Sequence, residues 1–336
     1  MNNNNNSKTN KGKIAVFGNI LREGLTKLYE NYDIVIFPQN DIGKEEEFLE
    51  KVEDCVAIIT WFTHKISKSV IDKLKSVRVI ANYAVGFDNI DIKAATEAGI
   101  IVLNTPDILT NATAETAVLL TFACAKRAKE AILKVLASDL DDVSPSFMLG
   151  KDIIGKTVGV IGAGRIGKKY AIMMKSLGCN VIYYNKTKKE ELENFGIEYF
   201  NLEELLKISD FVSLHLPLND QSKNLLNYER LSIMKDDAIL INTARAAIID
   251  EKALISLLEK GKFFSVGLDV YNNEPYPDPK LLEFSNVIIL PHIGSATYET
   301  RLKMAQFLSE TTIMALNGRV SELKNIVNKD IINELK

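Results

Sequence analysis

The sequence predicts an α/β fold of two doubly wound parallel-sheet domains, one inserted into the other. Three observations carry this: two successive series of short apolar runs, helical spacing between the runs of each series, and a long helical segment dividing the series. Runs that are apolar throughout, rather than at alternate positions, suit strands covered on both faces. Parallel sheets flanked by crossover helices create that setting.

The first series reads KIAVFG (13–18), DIVIF (33–37), VAIIT (56–60), VRVIANY (77–83) and IIVLN (100–104). The segment that follows begins NATAETAVLLTFACAKRAKEAILKVLAS at Asn111 and extends to Leu149. Its apolar spacing fits a bridging helix of more than about 20 residues, with Asn111 or Thr113 placed to cap it and Glu115 in the first turn. The second series reads VGVIG (158–162), NVIYYN (180–185), FVSLHL (211–216), AILINT (238–243), SVGLDV (265–270) and VIILP (287–291), which predicts six strands joined by crossover helices. Beyond Pro291 a helical stretch runs to Asn317 and most economically returns to cover the first domain. The expected division is a disordered Asn-rich tail at 1–11, a discontinuous first domain at 12–106 and 293–336, and a second domain at 107–292.

Composition narrows the function. A chain of 336 residues with 46% hydrophobic and 25% charged side chains is an ordinary folded protein. Its 41 basic and 44 acidic side chains give a net charge of -3 with no long basic run, so a small-molecule partner is expected and nucleic acid is not. Cys55, Cys124 and Cys179 are scattered, with no C-x-x-C pair, which argues against a disulfide framework and a zinc site and fits a reducing compartment. No apolar stretch approaches the roughly 18 residues of a membrane span. MNNNNNSKTNKGK has no apolar leader core, so the expected location is cytoplasmic.

The sharpest local feature is the strand TVGVI opening into Gly162-Ala163-Gly164-Arg165-Ile166-Gly167 and a helix KKYAIMMKSLG. The first glycine permits a tight turn, the second lets backbone approach a pyrophosphate, and the third lets helix and strand pack closely. With a second strand arriving on schedule, the pattern predicts a Rossmann domain whose helix amino terminus receives dinucleotide phosphates. At the end of that second strand an acidic residue would accept from a ribose 2'-hydroxyl and repel a 2'-phosphate. Here the sequence offers Asn185, Lys186 and Thr187, so NADP(H) is expected in preference to NAD(H).

The three histidines are His64, His215 and His292. His292 follows VIILP and His215 ends SLH, both at strand carboxyl ends, where ligands bind in open α/β sheets. Arg245 in INTARAAIID and Glu274 in LDVYNNEP also follow strands. Taken singly, each would equally suit a core histidine or a surface charge.

Together, TARAAIIDE, GLDVYNNEP and PHIGSAT downstream of GAGRIG resemble the D-isomer-specific 2-hydroxyacid dehydrogenase family over nearly all of residues 12–325. The resemblance implies Arg245, Glu274 and His292 as the catalytic residues, and a flavodoxin-like first domain whose loop NYAVGFDNID holds a substrate carboxylate at Val85 and Gly86. It also implies Asp269 near the nicotinamide carboxamide, with Gly294 also at the cofactor. Backbone at Pro217, Thr243 and Ala244 would line the dinucleotide, and Ser295 would stand beside His292. The chemistry accounts for these residue types. Arg245 can bridge a carboxylate and a carbonyl oxygen with its rigid fork of donors, and His292 can deliver a proton to that oxygen. Glu274, on the other ring nitrogen, would favour the imidazolium and orient it.

Within the family, VLNTPDILTNATAETAVLLTFACAKR, YYNKTKK and PHIGSATYETR are most similar to the glyoxylate and hydroxypyruvate reductases. A small 2-oxo or 2-hydroxy acid is the implied partner and a homodimer the implied assembly. 2-Ketogluconate reductase and D-3-phosphoglycerate dehydrogenase are the alternatives within the family. A dinucleotide-sensing, corepressor-like binding protein is the alternative outside enzymes, since fold alone does not choose among functions.

Overall fold

A computed structural model of the chain describes residues 12–37, 45–140 and 144–334; the expected Asn-rich tail lies outside them. The chain divides into two compact units, one running to Leu109 and resuming at Thr297, the other spanning Thr110–Ala296. Among the described residues no helix is long and apolar enough to cross a membrane.

The first unit holds a parallel sheet of β1 (Lys13–Phe17), β2 (Asp33–Phe37), β3 (Cys55–Thr60), β4 (Val79–Asn82) and β5 (Ile101–Leu103). Their order is β2-β1-β3-β4-β5, the flavodoxin-like arrangement, with its reversal between β1 and β3. Strands β3 and β4 are buried almost throughout, as continuous apolar runs require. The later part of the chain completes this unit. Helix Tyr298–Leu316, capped by Thr297 accepting from the Thr300 N–H at 3.2 Å, packs on the Arg22–Leu25 turn, and Ser309 Oγ donates to the Gly24 carbonyl at 2.8 Å. Farther along, Asn328 Oδ1 accepts from the Val102 N–H at 2.9 Å.

The second unit holds β6 (Thr157–Ile161), β7 (Asn180–Tyr184), β8 (Glu198–Tyr199), β9 (Phe211–Leu214), β10 (Ile239–Asn242), β11 (Ser265–Leu268) and β12 (Val287–Ile289), all parallel. The order β12-β11-β10-β9-β6-β7-β8 reverses between β6 and β9. Alternate side chains feed two cores. Val212, Leu214, Leu240 and Val266 enter one with Leu205, Leu254 and Leu257, while Val158, Val160, Phe211, Ile239 and Ile241 enter the other with Leu120, Tyr170 and Met174.

Two expectations need correction. The second sheet has seven strands rather than six, because Glu198–Tyr199 adds a two-residue edge to β7 that is too short to stand out as an apolar run. The bridging segment is not one helix: it breaks between Thr110–Ala125 and Ala128–Leu136, with Arg127 left-handed at φ 53°. The Arg127 guanidinium grips Glu130 at 2.6 and 3.1 Å, which closes the first turn of the second piece on itself. Because the first piece begins at Thr110, Asn111 and Thr113 lie inside it rather than capping it, and Glu115 lies beyond its first turn.

Candidate active site

In the second unit, the residues singled out in the sequence fall along the carboxyl edge of one sheet. His292 follows β12, Asp269 and Glu274 follow β11, Thr243 to Arg245 follow β10, His215 and Pro217 follow β9, Gly162 follows β6 and Asn185 follows β7. The neighbouring strands β12, β11 and β10 thus supply His292, Glu274 and Arg245 in spatial order.

His292 Nδ1 lies 2.6 Å from Glu274 Oε2, with side chains 22% and 19% exposed. Glu274 is itself held, its Oε1 accepting from the Tyr271 N–H at 3.3 Å. The imidazole therefore has its Nδ1 committed to a carboxylate. His292 sits at φ 53°, a left-handed backbone uncommon for a residue with a side chain. The loop just after it is clamped by Asp269, 1% exposed, whose Oδ1 accepts from Ile293 N–H and Oδ2 from Gly294 N–H, both at 2.8 Å. Burial pushes the Asp269 carboxyl up to about 6, against the pull of those two N–H groups and of His292. The Gly294 N–H is thus spent on Asp269, and an added Cβ there would stand 3.0 Å from the same carboxylate.

Arg245 leaves β10 on a turn built by Asn242, fully buried, whose Oδ1 accepts from the Ala244 N–H at 3.0 Å and whose Nδ2 donates to the Arg245 carbonyl at 2.9 Å. One guanidinium nitrogen donates to the Ala244 carbonyl at 2.8 Å. Beside it, Thr243 Oγ1 is buried with no hydrogen-bond partner among the described residues.

The three glycines divide their labour as expected. Gly162 has φ 97° and an added Cβ would fall 2.7 Å from the His215 carbonyl; at Gly167 it would fall 1.9 Å from the Gly162 carbonyl. At Gly164 it would meet nothing within 4 Å, and helix Arg165–Ser176 begins there with no side-chain cap. Open space before uncapped helix N–H groups fits a dinucleotide pyrophosphate. Asn185 ties this loop to the end of β7: its Oδ1 accepts from Ala163 N–H at 3.1 Å and its Nδ2 donates to the Thr187 carbonyl at 2.9 Å. Lys186 Nζ reaches Gln221 Oε1 at 3.3 Å, and the Pro217 carbonyl accepts from Ser222 Oγ at 2.6 Å.

In the first unit the loop after β4 has its carbonyls taken by asparagines, Val85 by Asn104 Nδ2 at 2.9 Å and Gly86 by Asn82 Nδ2 at 2.7 Å. No partner among the described residues takes either N–H. Two carbonyls tied back and two amides left open is an arrangement that receives an anion. Sequence reasoning passes over Asn82 and Asn242, although each ends an otherwise apolar strand, VIAN and ILIN, and a buried amide there signals a loop to be held.

The other two histidines are held neutral by burial. His64 Nδ1 accepts from the Trp61 N–H at 3.1 Å, and burial pushes its pKa down to about 4; burial pushes His215 down to about 3. Because each folded pKa lies below the free value of about 6.5, the stability each contributes is full above that pH and is lost as pH falls. In the second unit, Asp269 offsets this, since its raised pKa makes the folded state gain protons between about 6 and 4. The first unit should therefore be the acid-labile one, losing on the order of 1.4 kcal/mol per pH unit below pH ~6 through His64. Calorimetry from pH 7 to 4 should show this slope in the native chain and a flatter one in His64→Asn, which keeps an acceptor for Trp61.

The chain is similar to known proteins over nearly its whole length. The model of the D-isomer specific 2-hydroxyacid dehydrogenase NAD binding domain matches residues 118–294. A glyoxylate reductase of Thermococcus onnurineus is 39% identical over 331 residues, 97% of this chain and 98% of its own. Among solved structures, a glyoxylate reductase from Paecilomyes thermophila superposes with a TM-score of 0.83 at 37% identity, covering 95% of this chain and 99% of that one. An NADPH-dependent glyoxylate/hydroxypyruvate reductase from Sinorhizobium meliloti, solved with NADP and malonate, has a TM-score of 0.79 at 29% identity, over 90% and 93%.

Proposed function

The chain belongs to the D-isomer specific 2-hydroxyacid dehydrogenase family, as an NAD(P)-dependent oxidoreductase, and we propose that it reduces glyoxylate or hydroxypyruvate with NADPH. The observation that carries the reaction is the 2.6 Å His292–Glu274 pair, one strand away from the turn that bears Arg245.

A bound nicotinamide supplies the hydride. His292 Nε2 gives the proton to the substrate carbonyl oxygen, while Glu274 holds the ring through Nδ1. Arg245 places its fork across the carboxylate and that same oxygen, concentrating positive charge where negative charge develops. The open amides of Val85 and Gly86 take a carboxylate oxygen, and Ser295 stands beside His292. Asp269 sets the loop after His292, and that loop would stand near the nicotinamide carboxamide. The Gly162–Gly167 loop, with Pro217, Thr243 and Ala244, lines the dinucleotide.

The coenzyme preference rests on Asn185, Lys186 and Thr187. Initial rates of NADPH and NADH oxidation with glyoxylate, hydroxypyruvate, 2-ketogluconate and 3-phosphohydroxypyruvate test the reading directly. The highest kcat/KM is expected for NADPH with a two- or three-carbon acid, and negligible turnover with all four would point to a dinucleotide-sensing protein instead. Asn185→Asp should move the NADPH/NADH ratio of kcat/KM toward NADH by at least roughly tenfold, because a carboxylate repels a 2'-phosphate. It also removes the donor that Thr187 now receives, so the loop end loosens together with the charge change. An unchanged ratio would refute the assignment of Asn185.

A homodimer is the assembly we favour, supported by the helix Ala128–Leu136, which has no fully buried residue. Leu119, Phe122, Ile132, Leu133, Val135 and Leu136 are all exposed, Leu136 to 76%, an apolar face of the kind that a second copy covers. The double substitution Ile132→Lys with Leu136→Lys should convert a dimer at micromolar concentration into a monomer in sedimentation velocity.

A further inference from the structure

The segment NYAVGFDNID runs from Asn82 to Asp91, and the proposed reaction uses only its middle, Val85 and Gly86. Two side-chain amides bracket that middle and face each other. Asn82 Nδ2 lies 3.4 Å from Asn89 Oδ1, and Asn89 Nδ2 lies 3.4 Å from Asn82 Oδ1. Each contact is long on its own, but together they close a reciprocal amide pair. Outside the pair, Asn82 Nδ2 donates to the Gly86 carbonyl at 2.7 Å, while Asn89 Nδ2 donates to the carbonyls of Trp61 and His64 at 3.2 and 3.0 Å. Those three carbonyls only accept, so each amide must turn its NH2 end toward them. A carboxylate at either position would set an oxygen against a carbonyl oxygen instead.

Both ends of this link are anchored. Asn82 is fully buried at the end of β4. On the far side, the Trp61 N–H donates to His64 Nδ1 at 3.1 Å and the His64 N–H to the Trp61 carbonyl at 2.9 Å, which closes the turn after β3 on itself. The Asn89 backbone is held independently of its side chain, its carbonyl accepting from the Ile66 N–H at 2.8 Å. Between the anchors stands Gly86, the residue of the loop with the greatest backbone freedom. Asn104 fixes the peptide before it through the Val85 carbonyl, and Asn82 fixes the peptide after it through the Gly86 carbonyl. With both peptides held, the torsions of Gly86 are set.

We infer that Asn89 is a positioning residue for the substrate carboxylate: acting through Asn82, it anchors Gly86 to the Trp61–His64 turn and so keeps the open amides of Val85 and Gly86 in place. This deepens the reading of that loop as the carboxylate site and rests on it. The test uses the full chain with Asn89→Ala, Asn89→Asp, Asn82→Ala and the double variant Asn82→Ala with Asn89→Ala. It reads KM and kcat for glyoxylate and for hydroxypyruvate, NADPH Kd and Tm. Asn89→Ala should raise KM about tenfold, by the same factor for both acids because they share the carboxylate, with kcat within about threefold and NADPH Kd within about twofold of the native values. Asn89→Asp, which fills the same space without an N–H, should raise KM at least as far. On top of Asn82→Ala, Asn89→Ala should add less than about threefold, since the link it works through is already gone. If the Asn82→Ala chain fails to fold, the two Asn89 variants decide alone. Native KM in Asn89→Asp, a change confined to one acid, a full further tenfold on top of Asn82→Ala, or kcat and NADPH affinity falling together with Tm would overturn the inference. A raised KM in Asn82→Ala beside native KM in both Asn89 variants would overturn the role of Asn89 and leave the loop as the carboxylate site. Native KM in all of them would remove the loop as well, and failure of the native chain to turn over either acid would overturn the proposed reaction and the inference with it.

Discussion

Replacing His292 with Gln should reduce kcat for 2-oxo acid reduction by roughly a hundredfold to ten-thousandfold, the range over which a positioned general acid acts. Gln can occupy much of the same space and keep a hydrogen bond to Glu274, but it has no proton to deliver at pH 7. The expected signature is therefore a fall in kcat at saturating substrate and coenzyme, with NADPH Kd within a factor of about two of the native value. Glu274→Gln should give a smaller loss, since the imidazole keeps a neutral partner and loses the carboxylate opposite Nδ1, now 2.6 Å away. Nearly native turnover in His292→Gln would remove the residue from the reaction. A collapse of NADPH binding would reassign it to holding the loop that Asp269 clamps.

Arg245→Lys should be nearly as damaging as Arg245→Gln, each lowering kcat/KM by roughly a hundredfold to ten-thousandfold. The proposed fork makes two charge-assisted hydrogen bonds, and each is worth about 1.5–3 kcal/mol. A lysine keeps the charge but offers a single point of attachment, so it cannot span the carboxylate and the carbonyl oxygen together. Because Asn242 fixes the turn through backbone groups of Ala244 and Arg245, the change leaves that scaffold intact, and Tm should hold steady. Steady-state kinetics with glyoxylate and with hydroxypyruvate, run beside thermal unfolding, separates loss of the fork from loss of the fold. Recovery to within a few fold in Arg245→Lys would show that charge alone suffices.

The two sheets are legible in the sequence because buried parallel strands are apolar without interruption, and ILIN or CVAIIT can hardly be placed elsewhere. Glu198–Tyr199 is not legible: two residues carry no periodicity, and the edge exists only because β7 offers an unpaired side. The helix break at Arg127 is equally silent, since apolar spacing continues across it and the left-handed backbone shows only in three dimensions. The phosphate turn is written in glycines whose individual duties, two tight and one open, follow from their spacing. The site is legible as strand ends, and the family resemblance supplies one contact, Glu274 on His292, which the structure makes at 2.6 Å across 18 residues. Neither GLDVYNNEP nor PHIGSAT states that Asp269 spends both oxygens on the loop beyond it. Asn185 is readable as a missing acid, whereas its bridge from Ala163 to Thr187 depends on how close the first turn comes to β7.

The interrupted chain of the first unit has a consequence for synthesis. Residues 110–296 form a complete unit with its own two cores, so it can fold as soon as it clears the ribosome. The first unit, although its strands are made earlier, still lacks helix Tyr298–Leu316 and the Asn328 bond to Val102 at that moment. Its five strands must wait, with the part of the sheet at β3–β5 that this helix covers left open, through the translation of nearly two hundred residues. The nascent chain therefore matures from its middle outward, and the interval in which the first sheet stands open is when a chaperone has most to protect.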